Sequence, residues 1–252
     1  MRVSLVTGGG RGIGRAVARA LAGPETLVAI AARTLSQLEE TAADLQRLGG
    51  NAIPIPMDVT SEASVAEGMR QLREQVPHLD IIVNNAGVGG GEPVAGSDTA
   101  RWRRIIDTNL TGMFLVTREG LGFMRDGGRI VNLSSVLGRF GVAGYTAYCA
   151  SKHGVIGFTR ALALELAPQQ ITVNALSPGW VDTAMATEGM TLGARAMGWT
   201  FDRFREHALG AVPIKRIITP EEVAELVRFL ASPAAAAITG QTYNICGGQT
   251  MD

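Results

Sequence analysis

The stretch Val3-Ser4-Leu5-Val6-Thr7-Gly8-Gly9-Gly10-Arg11-Gly12-Ile13-Gly14 decides the fold. A short strand-like run enters a glycine cluster, and the helical pattern that follows puts Val17 and Leu21 on one face. Strand, glycine turn and helix in this order bring backbone N–H groups and the positive helix end to the place where a nucleotide pyrophosphate is held. Glycines let the backbone approach the phosphates and let the helix pack on the strand. The spacing is Gly-x-x-x-Gly-x-Gly. The strict Gly-x-Gly-x-x-Gly is absent, because Ile13 and Val17 occupy two of its positions. Thr7, Gly8, Gly10, Arg11, Gly12, Ile13 and Gly14 are therefore the candidate phosphate-loop residues. The rival reading is a glycine-rich turn that binds nothing.

Outward from this loop, apolar runs of strand length recur at Val3–Val6, Leu27–Ala31, Ala52–Met57, Ile81–Val83, Arg129–Leu133, Thr172–Leu176 and Thr242–Ile245. Helical patterns separate them, such as Val223, Leu226 and Leu230. Short, continuously apolar strands alternating with helices predict a parallel sheet covered on both faces. The expectation is an α/β fold: one domain over 1–252, a Rossmann-type doubly wound sheet of about seven strands. Leu21-Ala22-Gly23-Pro24 closes the first helix, Ser36 with Glu39 suggests a capping box, and Pro220-Glu221-Glu222 opens a late helix. Met185–Pro213 breaks the rhythm: it is rich in Met, Gly and aromatics and carries no strand. Helical pieces are expected at Trp199–Phe204 and Arg205–Leu209, making the segment 184–213 an ordered helical substrate lid.

Composition narrows the function classes. With 46% hydrophobic and 18% charged residues the chain can bury a large core. Its formal net charge is +0 with no basic or acidic run, which points away from nucleic acid and anionic membrane surfaces. No apolar stretch reaches a spanning length, and the N-terminus enters a strand directly, leaving no room for a signal peptide. Cys149 and Cys246 make no disulfide framework and read as buried apolar fillers. A cytoplasmic protein is expected. His78, His153 and His207 lie in no metal-ligand spacing, so no metal is predicted.

The second strand ends at Ala31-Ala32-Arg33-Thr34. In dinucleotide sites an acid near this point binds the ribose 2′-OH of NAD, whereas an arginine accommodates the NADP phosphate. Ala32 offers no carboxylate, and Arg33 and Arg11 offer guanidinium groups, so NADP(H) is favoured over NAD(H). The chain holds only two lysines against twenty-one arginines, and one of them, Lys152, follows Tyr148 by four residues. Random placement would yield only about 0.02 such pairs. On a helix these positions share a face. A phenol with an unperturbed pKa of about 10 needs nearby positive charge to exchange a proton near neutral pH, and an ammonium one turn away supplies it. Tyr145 competes as the acid, but its i+4 residue is Cys149, which has no fixed charge. Ser134 and Ser135 compete as the hydroxyl that would hold a substrate oxygen, separated only by strand alternation.

With these motifs in view the chain resembles the short-chain dehydrogenase/reductase family over nearly its whole length. Thr7-Gly8-x-x-x-Gly12-x-Gly14 matches that family's cofactor loop, and Asp58-Val59 its adenine-holding acid. Asn84-Asn85-Ala86-Gly87 matches the motif that ends the fourth strand. Pro178-Gly179, with Val181 and Thr183, matches the segment that clasps nicotinamide. The resemblance implies a catalytic set of Asn109, Ser135, Tyr148 and Lys152. In it Lys152 also bonds the nicotinamide ribose, and Asn109 anchors a water that refills the proton through Lys152. A rival reading makes Asn109 a buried polar residue that bonds backbone. The resemblance further implies a homotetramer, and the helix with Leu162, Leu164 and Leu166 on differing faces reads as apolar all round and buried.

The substrate is less determined. Met185, Met190, Met197 and Trp199 form the candidate substrate pocket, the rival being the packing side of the lid helices. Arg195, Arg203 and Arg205 are candidates for the phosphates of a coenzyme A or acyl-carrier-protein thioester. The C-terminal half resembles 3-oxoacyl thioester reductases and polyketide ketoreductases. The leading expectation is an NADPH-dependent carbonyl reductase acting on 3-oxoacyl thioesters. The alternatives are a dehydrogenase of a hydrophobic secondary alcohol or hydroxyacyl-CoA, and a non-catalytic NADP-binding sensor or scaffold.

Overall fold

Each of the seven apolar runs forms a strand, and all seven join one parallel sheet in the computed structural model, which describes residues 1–251. Asp252, the last residue of the expected domain, lies outside them. The strands are β1 (Arg2–Thr7), β2 (Thr26–Ala32), β3 (Asn51–Pro56), β4 (Leu79–Asn84), β5 (Met124–Leu133), β6 (Thr172–Pro178) and β7 (Thr242–Ile245). Their order is β3-β2-β1-β4-β5-β6-β7. The winding reverses between β1 and β4, and a crevice opens there beyond the carboxyl ends of the strands. β5 begins five residues before its apolar run, at Met124, with a register irregularity between Leu79 and Ile81 of β4. Gly127, at φ 78, gives the polar Arg125–Gly128 stretch a conformation that side chains disfavour. Pro54 and Pro56 fall on β3, an edge strand, where a missing N–H donor is tolerated.

Strand alternation builds two cores. Val6, Val28, Ile30, Val83 and Val131 face α1 (Gly12–Leu21), α2 (Leu35–Arg47) and α9 (Pro220–Leu230) through Val17, Leu38, Leu45, Val223 and Leu230. Leu5, Ala29, Ile82, Ile130 and Val173 face α3 (Glu62–Gln75), α5 (Gly112–Leu121) and α6 (Thr146–Leu166) through Val65, Leu72, Val116 and Leu162. A further helix, α4 (Thr99–Ile106), runs into α5 through a π-helical turn at Asp107–Thr111. Such turns occur often at functional sites.

Three local expectations need correction. α2 starts at Leu35 after Thr34, so Ser36 lies inside the helix and caps nothing; a capping box forms instead at Thr219 with Glu222, ahead of α9. The lid holds helices α7 (Ala184–Met197) and α8 (Phe201–Gly210), with Trp199 in the turn between them. Gly198, at φ 64, ends α7. α6 is not buried all round: Leu162 and Leu166 are buried, whereas Leu164 is 80% exposed. Among the described residues no helix is long and apolar enough to cross a membrane.

Candidate active site

The loops after β1, β4, β5 and β6 converge at the crevice. Gly8 (φ 65) and Gly12 (φ 53) hold left-handed conformations that side chains rarely adopt. A Cβ on Gly14 would lie 2.1 Å from the Gly8 carbonyl oxygen, so helix α1 can meet β1 this closely only through a glycine. The loop is braced from β4. Thr7 Oγ1 accepts from the backbone N–H groups of Asn85 and Ala86, each at 3.1 Å, and Asn85 Nδ2 donates to the Thr7 carbonyl at 2.8 Å. Across the cleft, Thr183 caps α7 and sets its methyl group 3.3 Å from where a Gly12 Cβ would stand. The result is a cradle, open where side chains would fill it, with one helix N-terminus on each side. Arg11 and Arg33 are both exposed at its rim and have no acidic partner among the described residues. This donor set fits a dinucleotide carrying an additional phosphate.

The other expected cofactor residues divide by role. Asp58 Oδ1 accepts from Thr60 N at 3.0 Å and Thr60 Oγ1 at 2.8 Å, which shapes the loop after β3. Val59 and Val181 turn their side chains into the interior. Val59 packs where a Cβ on Gly112 would stand, and Val181 bridges Ile218. Pro178 ends β6, and Gly179 N donates to the Ile245 carbonyl at 3.1 Å. A Cβ on Gly179 would meet Cys246 at 3.0 Å, so Cys246 is a buried packing residue, as expected of it.

β5 delivers two serines to opposite sides, as alternation requires. Ser134 Oγ donates to the Lys152 carbonyl at 2.8 Å and serves the structure. Ser135 faces the cleft, accepts from Leu137 N at 3.2 Å, and stands near enough to the Tyr148 phenol to favour its ionised form. One turn along α6, Lys152 is 4% exposed; its Nζ donates to the Leu133 carbonyl at 2.7 Å and stands 5.7 Å from the Tyr148 ring centre. His153 turns away, its Nδ1 2.9 Å from the Cys149 carbonyl. Asn109 lies in the π-helical turn. Its Oδ1 accepts from Val88 N at 2.8 Å, and its Nδ2 donates to the Val88 carbonyl at 3.0 Å and to Ser151 Oγ at 3.1 Å. These are the backbone bonds of the rival reading, yet they act at the site. The strand of chain they hold passes Gly87, where a Cβ would lie 3.4 Å from Asn109 Oδ1 and 3.7 Å from Lys152 Nζ.

The electrostatics depart from the expectation that Lys152 activates Tyr148. Tyr148 is half-buried, and the protein packed around it is dense enough to desolvate a phenolate. Burial pushes its pKa up to about 12, the Ser135 hydroxyl pulls it down, and Cys149 and Tyr145 push it up. Burial also lowers Lys152 to about 8. Desolvation wins over the ammonium at this separation. The phenol therefore keeps its proton at neutral pH, which suits a proton donor.

Sequence reading missed the supports of this set. Ser151, fully buried, ties Asn109 to α6 and donates to the Tyr148 carbonyl at 2.8 Å. Beneath it, Asn84 Nδ2 donates to Thr117 Oγ1 at 2.9 Å and to Asn132 Oδ1 at 2.8 Å. Asn132 Nδ2 in turn donates to Thr159 Oγ1 at 2.9 Å. The available signal was polar residues inside apolar runs, Asn132 in β5 and Ser151 beside Lys152.

The lid residues do not share one surface. Met185 lies over the cleft mouth, its Cγ 3.3 Å from where a Gly89 Cβ would stand. Met190 is buried, and Met197 is 49% exposed. Trp199 meets His207 edge-on at 5.3 Å and carries Arg203 over its ring at 4.4 Å. Met190 and Trp199 thus serve lid packing, with Phe204 against Gly193 and Trp180 against Gly189.

Residues 8–250 match a family model described as enoyl-(acyl carrier protein) reductase. The 3-oxoacyl-[acyl-carrier-protein] reductase of Synechocystis sp. is 39% identical over 254 residues, covering 99% of this chain and 97% of its own. A crystal structure of an actinorhodin polyketide ketoreductase variant with NADPH is 40% identical, has a TM-score of 0.94, and covers 98% of this chain and 97% of that one. A variant of the Serratia marcescens short-chain dehydrogenase/reductase, 31% identical, has a TM-score of 0.90 over 99% of this chain and 98% of its own.

Proposed function

The chain belongs to the short-chain dehydrogenase/reductase family, and on that premise we propose that it is an NADPH-dependent ketoreductase acting on 3-oxoacyl thioesters. The observation that carries this reading is the convergence of Ser135, Tyr148 and Lys152 on the open end of the glycine cradle. Thr7 to Gly14, Thr183 and the rim arginines Arg11 and Arg33 would hold the dinucleotide, whose nicotinamide supplies the hydride when bound. Ser135 and the Tyr148 phenol hold the ketone oxygen as paired donors, polarising the carbonyl. Tyr148 gives its proton to that oxygen as negative charge develops there. Lys152 stabilises the phenolate that remains, a demand that arises only after the proton has left. Asn109 positions: it fixes the Gly87-Val88 strap beside Lys152 and the Tyr148 end of α6. Phenol and lysine are both poised for the reductive direction.

The reading extends to assembly and location. Trp102 and Phe114 are each 43% exposed and Leu164 is 80% exposed, on α4, α5 and α6. These apolar side chains support a homotetramer built on that helical face. Both cysteines are unbonded, as in a reducing cytoplasm.

The decisive experiment follows oxidation of NADPH and of NADH by the purified protein with acetoacetyl-CoA and with simple aryl ketones. Thioester turnover with a preference for NADPH is expected. Ketone turnover without thioester turnover would move the assignment to a dehydrogenase of hydrophobic secondary alcohols. Wild-type turnover no faster than that of Tyr148→Phe, with NADPH bound, would favour a sensor.

A further inference from the structure

The strap from Gly89 to Glu92 carries three glycines, and each makes way for a side chain from a different element. Met185 of the lid lies against Gly89, and Arg101 of α4 lies against Gly90. The ring of Tyr145 lies against Gly91: a Cβ there would stand 2.8 Å from Tyr145 Cε2 and 3.0 Å from its Cδ2. Arg101 Nη2 donates to the Gly91 carbonyl at 3.0 Å, and its Nε stands 3.9 Å from Glu92 Oε2, which closes the strap from outside. Tyr145 is the N-cap of α6, and its backbone is fixed by donation to the Val142 carbonyl at 3.0 Å. Its ring is therefore seated against the strap while its backbone is fixed at the helix start. Its hydroxyl has no hydrogen-bond partner among the described residues. The mechanism leaves Tyr145 unused.

Tyr145 and Tyr148 are three residues apart at the start of one helix, which places them on one face with their Cβ atoms about 5–6 Å apart. The two phenols feel each other's charge, and Arg101 is near enough to Tyr145 to favour its ionised form against burial. We propose that Tyr145 is a specificity-determining residue, a second phenol that donates a hydrogen bond to an oxygen two carbons from the ketone that Tyr148 and Ser135 hold. That oxygen is the thioester or ester carbonyl of a 3-oxoacyl compound, so Tyr145 selects 1,3-dicarbonyl substrates over isolated ketones. The inference rests on the ketoreductase reading above and deepens it. A site built to bond a substrate oxygen discriminates against the analogue that lacks it, because the donor is then left unpaired.

The test compares Tyr145→Phe with wild type on ethyl acetoacetate and on 2-heptanone, a ketone without the second oxygen. NADPH binding, followed by fluorescence titration, serves as the control for folding. The expected result is a loss of about tenfold in kcat/KM on the ester, less than twofold on the ketone, and unchanged NADPH binding. Gly91→Ala, whose methyl would drive the Tyr145 ring aside, is expected to shift the ester-to-ketone ratio the same way. Equal losses on both substrates, or no loss on the ester, overturn the role of Tyr145 while leaving the ketoreductase reading intact. A wild type that reduces neither compound nor acetoacetyl-CoA overturns that reading and this inference with it.

Discussion

At Lys152 two demands meet: a charge is needed beside Tyr148, and the site that holds it excludes water. Burial lowers its pKa from 10.5 to about 8, so below pH 8 both the folded and the unfolded chain carry the proton and the burial penalty is fully present. Between about 8 and 10.5 the folded chain releases its proton first. The unfolded state then binds more protons, and stability rises with pH by at most about 1.4 kcal/mol per unit. Tyr148, raised from 10.0 to about 12, works in the opposite sense at the top of the range: above pH 10 the unfolded chain loses its phenolic proton first and stability falls. Lys152→Met should accordingly be more stable relative to wild type at pH 7 than at pH 10, as urea melts at the two pH values would reveal; a constant difference would argue against a buried charge. Activity makes a separate demand on this residue. Lys152→Arg keeps the charge, but its planar guanidinium does not fit the slot where Nζ meets the Leu133 carbonyl. A fall in turnover of at least about a hundredfold is expected, on the order of 2.7 kcal/mol of transition-state stabilisation. Near-wild-type rates would mean that charge alone suffices.

Among the elements, the glycine loop and the ends of the helices carry the sharpest predictions. Gly14→Ala places a methyl 2.1 Å from the Gly8 oxygen, so either α1 or the loop must move. NADPH affinity should fall by more than about tenfold in a fluorescence titration, the loop geometry being what brings the phosphates to the backbone N–H groups; unchanged affinity would remove this loop from the cofactor site. Thr219→Ala removes one half of the α9 capping box. A loss of about 1 kcal/mol is expected, or roughly 2–4 °C in Tm by calorimetry, without change in NADPH affinity. The same motif read at Ser36 and Glu39 misplaced a cap by two residues, because α2 begins as soon as the chain leaves β2. Local cap patterns are common, and which one is used depends on where the preceding strand ends. The lid shows a similar limit. Its apolar residues were visible as a group, but Met190 faces inward and Trp199 meets His207 edge-on because α7 runs unbroken to Met197.

For the whole molecule, the exposed apolar side chains of α4, α5 and α6 set the expectation for assembly. Leu164→Arg should shift light-scattering mass toward smaller species at a fixed concentration, while the fold, read by circular dichroism, is retained; a wild-type monomer at working concentration would contradict the tetramer. Much at this scale was legible in advance. Continuous apolar runs alternating with helical periods specify a parallel doubly wound sheet, since only such a sheet buries both faces of its strands. The Thr7–Gly14 loop and the pairing of Tyr148 with Lys152 were legible too, because glycine at strained backbone positions and helical spacing are properties of the chain itself. Three matters waited on the tertiary structure. Ser135 rather than Ser134 faces Tyr148, which depends on the side of β5 that meets the cleft. Asn109 braces the Val88 strap across 21 positions of sequence, a contact no local pattern encodes. The Tyr148 proton is held firmly instead of loosely, because a pKa answers to the protein packed around the group, and sequence spacing fixes only which charge stands one turn away.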